Sequence, residues 1–134
     1  MKRLIRAMIA TALVTASAVA QAEVVVIVNA AASAAPSQSD VANIFLGKDT
    51  SLKGIDQKGW NPTKEKFYST LTSKSESQLK SYWSALVFTG KGQPLQSVDD
   101  DASVVAMVGS EANLIGYVDK AAVSDKVKVL FTLP

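Results

Sequence analysis

Few kinds of side chain in this sequence could do chemistry. It holds no histidine and no cysteine in 134 residues, which excludes imidazole bases, thiol nucleophiles, disulfides and thiolate zinc sites. Paired carboxylates stay open, and the densest group is Asp99-Asp100-Asp101. These three follow Ser97 at the head of an apolar-periodic segment, where negative charge suits the positive end of a helix dipole. A hard-cation loop needs spaced carboxylates and a turn glycine instead. The cluster therefore reads as a helix start, and neither an enzyme nor a metal or cofactor site is expected. The other polar group with a definite geometry is Asn61-Pro62-Thr63-Lys64. Asn61 suits an N-cap, and Pro62 suits the first helical position.

The elements that must position these groups alternate between strand and helix. Val24-Val25-Val26-Ile27-Val28 is continuously apolar and β-branched, as expected of a strand buried on both faces of a parallel sheet. Ser37-Gln38-Ser39-Asp40 has the form of a capping box; Val41, Ile44 and Phe45 follow at helical spacing, and Gly47 is a left-handed stop. Residues 51–58 are polar and read as a loop holding at most a short strand. The helix begun at Asn61 continues to Leu71. Ser75-Glu76-Ser77-Gln78 opens another, with Leu79, Tyr82, Trp83, Leu86 and Val87 on one side. Trp83 and Tyr82 fit the core or its edge. Val98, Val104, Val105 and Val108 mark a further helix stopped at Gly109. Leu114-Ile115-Gly116-Tyr117-Val118 reads as a buried strand, and 126–131 alternates like an edge strand. The pattern predicts an α/β domain with a small sheet of two or three strands flanked by helices.

The first 22 residues carry an address. Lys2, Arg3 and Arg6 precede an apolar, small-residue run from Met8 to Val19, and Ala20-Gln21-Ala22 has the A-x-A form of a cleavage site. The run falls short of the roughly 20 apolar residues a membrane span needs. Residues 1–22 are expected to be a cleaved signal peptide and residues 23–134 a single periplasmic domain without a membrane span. Of the 14 basic residues three lie in that leader, leaving 11 against 12 acidic ones, a formal charge of −1. The pI near 8.9 belongs to the precursor. Every remaining cation is lysine, which weakens a bidentate guanidinium clamp. No basic stripe with interleaved aromatics remains, so nucleic acid is not an expected partner.

The run Val24 to Asn29, followed by a helix ending Ile44-Phe45-Leu46-Gly47-Lys48, resembles the middle of the phosphate-type substrate-binding proteins of ABC transporters. Leu114-Ile115-Gly116-Tyr117-Val118 is similar to that family's "aIGYv" strand. The resemblance implies one lobe of a type II periplasmic binding protein. Aligning Phe67 with the family's Ser-Gly-Thr-Arg-x-x-Phe motif places Asn61, Pro62, Thr63 and Lys64 at its first four positions. Asn61, Thr63 and Lys64 are thereby the candidate ligands for phosphate or another small anion, held at a helix N-terminus. Pro62 removes one backbone donor from that site. The family's first lobe and its phosphate loop have no counterpart before Val24, so the expectation is a lobe that stands alone. Two functions follow from the resemblance. One is an exported binding component, with an anion as ligand and an ABC permease as partner. The alternative is an envelope interaction or accessory protein that kept the lobe and lost the ligand.

Overall fold

The structure, a computed structural model, describes residues 23–134; the expected signal peptide lies outside the described residues. Five strands form one mixed sheet. In chain order they are β1 (Val24–Asn29), β2 (Lys53–Gln57), β3 (Gln96–Val98), β4 (Leu114–Asp119) and β5 (Val127–Thr132), and across the sheet the order is β3-β2-β4-β1-β5. β2 runs parallel to both β3 and β4, whereas β1 is antiparallel to β4 and to β5. Four helices cover it: α1 (Gln38–Phe45), α2 (Pro62–Thr72), α3 (Glu76–Phe88) and α4 (Asp101–Ser110).

Residues 24–28 are buried on both faces as expected, but not between parallel neighbours. Val24, Val26 and Val28 face α1 and α2 together with Ile115 and Tyr117, while Val25 and Ile27 face α4 with Leu114 and Val118. A continuous apolar run records that both faces are covered; it carries nothing about the direction of adjacent strands. The sheet also has more strands than the two or three expected. Lys53–Gln57 is a full strand, and Val98 belongs to β3 instead of the helix that follows.

The helix starts are where the local sequence places them. Ser37 and Asp40, and Ser75 and Gln78, form reciprocal capping boxes; Asn61 caps α2 with Pro62 in its first turn. Gly47 takes φ +76°, the left-handed stop beyond α1. Asn29 closes the far end of α4: its side-chain amide donates to the carbonyls of Val108 and Gly109, both at 3.0 Å. That satisfies two acceptors the helix itself leaves open. By contrast α3 buries only Leu79. Tyr82 and Trp83 rest against the edge of the core, Val87 is exposed, and Phe88 is 91% exposed.

α4 packs close to the sheet because β4 carries a glycine beneath it. A Cβ on Gly116 would come within 2.5 Å of Val104 Cγ1 and 3.3 Å of Val108 Cγ2. Val104 is β-branched, helical and fully buried, so it has no free rotamer to move into. Gly116→Ala should therefore lower stability by about 1–3 kcal/mol, the usual cost of overpacking. Adding Val104→Ala should recover part of that loss. Equal denaturation midpoints for Gly116→Ala and the parent chain would mean that α4 sits farther from β4 than described.

Candidate functional site

The parallel strands β2, β3 and β4 end along one edge at Gln57, Val98 and Asp119, and α2 and α4 begin beside them. Ligands of open α/β sheets collect at such carboxyl edges. The polar side chains there form one connected network. Asp56 lies at its centre. Its Oδ1 accepts from the Tyr117 hydroxyl and, at 2.9 Å, from Gln57 N–H, and its Oδ2 is 3.6 Å from Lys64 Nζ. Lys64 Nζ also donates to the Gln57 carbonyl at 2.6 Å. The Gln57 side chain is fully committed. Its amide nitrogen donates to Asp101 Oδ1 at 2.8 Å and to the Tyr117 carbonyl at 3.1 Å, and its amide oxygen accepts from Asn61 at 2.9 Å.

This geometry brings Asn61 and Lys64 together and sets Thr63 apart. Asn61 Oδ1 accepts from Lys64 N–H at 2.8 Å, and Pro62 has no N–H to give. The Thr63 side chain is buried. The first turn of α2 thus gives the Lys64 and Glu65 N–H groups to Asn61 and has no donor at Pro62. The Lys64 and Asp56 side chains are only 12% and 14% exposed, so the ammonium sits against its counter-charge and largely out of water. Asp99, Asp100 and Asp101 go three separate ways. Asp100 caps α4 through Ser103 N–H, Asp101 holds Gln57 and accepts from Asp119 N–H, and Asp99 pairs with Lys58 on the surface.

Two further residues of the network, Asp56 and Gln57, escape a reading of the sequence because Lys53–Gln57 has a single large apolar residue and reads as loop. Two tyrosines complete the site. Tyr117 stacks on Phe67 at 4.1 Å between ring centroids, and Tyr68 meets both edge-on. The Tyr68 hydroxyl is buried with no hydrogen-bond partner among the described residues. Burial, and then the charge of Asp56, hold the pKa of both tyrosines well above the ordinary phenol value.

Beside this network a cleft of about 180 Å³ opens between α2 and α3. Lys64 and Asp56 form part of its wall, with Lys58, Lys80, Trp60 and Trp83 around them. Lys64 Nζ stands 5.9 Å from the centroid of the Trp60 ring, within reach of a cation–π attraction. Ser37, at the start of α1, does not line this cleft.

No protein-family model matches the chain, and no curated protein matches its sequence. Solved structures do match its fold. One is an ABC-type phosphate transport receptor from Vibrio cholerae, at TM-score 0.60 and 14% identity over 80% of this chain and 44% of the receptor. Another is described as a phosphate ABC transporter substrate-binding protein with bound phosphate from Clostridium perfringens, at TM-score 0.58 and 16% identity over 80% and 43%. The chain therefore spans less than half the length of these transport receptors, and its five-stranded α/β layer has the fold of one lobe of a periplasmic binding protein.

Proposed function

We propose that this chain is an exported binding lobe of the ABC-receptor type, freed of residues 1–22 in the periplasm, that takes phosphate or another small anion at the cleft beside Lys64. It works with an ABC permease or another envelope protein and catalyses nothing. The observation that carries this reading is that three lysines, Lys58, Lys64 and Lys80, against two carboxylates, Asp56 and Glu76, line one open cleft at the carboxyl edge of β2, beside the start of α2. The likeness in fold to receptors whose descriptions name phosphate supports it. No helix of the described residues is long and apolar enough to cross a membrane.

Binding by such a lobe is weak. The first turn of α2 offers an anion little, because Asn61 already serves Lys64 N–H and Pro62 contributes no donor. An anion drawn fully to Lys64 would also approach Asp56, and a desolvated anion without opposing donors is poorly compensated. Isothermal titration of residues 23–134 with phosphate near neutral pH should accordingly show heat only in the millimolar range, by order of magnitude about 4 kcal/mol of binding free energy. Silence at millimolar phosphate from folded protein would reject free phosphate as ligand. A measured affinity that Lys64→Ala leaves unchanged would reject the placement at Asn61, Thr63 and Lys64.

A second reading, an envelope interaction or accessory lobe, is favoured by one observation. The end of α3 presents Val87 and Phe88 to solvent, Phe88 almost entirely. On that reading the titration is silent for every small anion.

A further inference from the structure

The cleft beside Lys64 is lined by side chains of unlike kind, and the mixture bears on what fits there. Trp60, Trp83 and Leu79 line it together with Lys58, Lys64 and Lys80, and with Asp56 and Glu76, the carboxylates that pair with Lys64 and Lys80. Trp83 is held firmly where it is. Its six-membered ring passes so close to Gly47 that a Cβ there would lie 2.9 Å from Trp83 Cη2. Trp60 stacks on Tyr68 at 6.3 Å with the rings 20° from parallel. These are fixed aromatic walls whose only donors are the indole N–H groups.

A bare inorganic oxyanion is a poor match for such a cleft, because it needs donors on every side. An anion with an apolar body uses both kinds of lining at once. We propose that the ligand of this cleft is an organic monocarboxylate, carried on one ring or a short branched chain. The proposal rests on the small-anion reading above and narrows it. The cleft of about 180 Å³ sets the size, since a cavity of about 150 Å³ holds one benzene ring. The apolar body lies against Trp60, Trp83 and Leu79, and the charged end meets Lys58 and Lys80.

Those two ammonium groups are free to turn. Lys58 pairs with Asp99 at 3.4 Å and Lys80 with Glu76 at 3.7 Å, and in both pairs the side chains are substantially exposed. Surface pairs of this kind hold little energy, so exchanging a carboxylate of the chain for one of a ligand costs little. Lys64 stays with Asp56, and that pair adds no net charge to the cleft.

The chain has only two tryptophans, and both line the cleft. Intrinsic tryptophan fluorescence of residues 23–134 is therefore a direct reporter of occupancy. The probes are cyclohexanecarboxylate, inorganic phosphate and the neutral cyclohexanecarboxamide, titrated at matched ionic strength into protein shown to be folded by circular dichroism. The expected result is a saturable change with cyclohexanecarboxylate, at least about tenfold tighter than phosphate, as burial of even part of the ring provides. The exposed-site variant Lys80→Ala should weaken it severalfold without altering the fold. Phosphate binding as tightly as the carboxylate would overturn the organic class and leave the small-anion reading standing. Carboxamide binding as tightly as the carboxylate would overturn the need for charge. Failure of all three probes to move the fluorescence would overturn both readings together.

Discussion

Asp56→Ala should cost this protein about 3–5 kcal/mol, the range found when one member of a buried ion pair is removed. The loss does not come from the pair's attraction alone. Asp56 accepts from Tyr117, from Gln57 N–H and from Lys64; its removal takes the acceptor of the buried Tyr117 hydroxyl, leaves Gln57 N–H only the Tyr117 hydroxyl oxygen at 3.2 Å, and takes the counter-charge of Lys64. The worst placed is the Lys64 ammonium, which would keep only the Gln57 carbonyl while its side chain is 12% exposed. A domain of this size has only about 5–15 kcal/mol in total, so urea denaturation should show the midpoint falling by a large fraction. The double variant Asp56→Asn with Lys64→Met is the informative control. It removes both charges and leaves an unbranched side chain near Trp60 and Tyr68, whose ring centroids lie 5.9 and 6.0 Å from Lys64 Nζ, and it should be milder than Asp56→Ala alone. A double variant as damaged as the single one would show that the loss lies in packing and not in an orphaned charge.

The same pair limits the cleft as a binding site. An anion can be attracted by Lys64, but it cannot take Lys64 from Asp56 without leaving a buried carboxylate unpaired. The exposed lysines Lys58 and Lys80 are the ones that can move to a ligand at little cost. This is why substitutions at Lys58 or Lys80 report on binding, whereas those at Asp56 report chiefly on folding.

What could be read from the sequence was what depends on neighbours along the chain. Both capping boxes, the Asn61 cap with Pro62, the Gly47 stop and the Asp100 cap are contained within a few residues, and each is where its residue types place it. The α/β class and the burial of β1 followed from periodicity in the same way. What escaped depends on partners far apart in sequence. The antiparallel setting of β1 is decided by β4 and β5, some 90 to 100 residues later. β2 is a strand because β3 and β4 flank it, although Lys-Gly-Ile-Asp-Gln shows almost no apolar pattern. The site divides along the same line. Lys64 could be singled out through the family motif aligned on Phe67, but its counter-charge sits in the strand that looked like a loop. The apolar side of α3 misled in the opposite sense. Its spacing suggests a buried stripe, yet Leu79 alone is buried, because α3 lies over the edge of the α1–α2 layer and not on the sheet.

Alkaline pH should unfold this protein more steeply than an ordinary domain, and Tyr68 and Tyr117 are the cause. Both are fully buried, and burial with the nearby Asp56 charge raises both pKa values above that of a free phenol. In the unfolded chain each returns to about 10. Below that pH the two states hold the same phenolic protons, and the tyrosines make stability independent of pH. Above it the unfolded chain releases protons that the native state retains, so the unfolded state binds fewer, and the free energy of unfolding falls as pH rises. Each tyrosine contributes a slope on the order of 1 kcal/mol per pH unit. Urea midpoints measured from about pH 8 to about pH 11 should therefore drop sharply at the upper end. Two variants separate the contributions. Tyr68→Phe deletes a hydroxyl that has no hydrogen-bond partner among the described residues, so it should leave stability at neutral pH unchanged or raised and remove one tyrosine's share of the alkaline slope. Tyr117→Phe removes the donor to Asp56, so it should lower stability at neutral pH and flatten the slope equally. The difference in slope between parent and variant reports the phenol removed. A Tyr68→Phe variant with the parent's full alkaline slope would mean that the Tyr68 hydroxyl ionises in the folded protein, and that the aromatic cluster of Phe67, Tyr68 and Tyr117 is open to water.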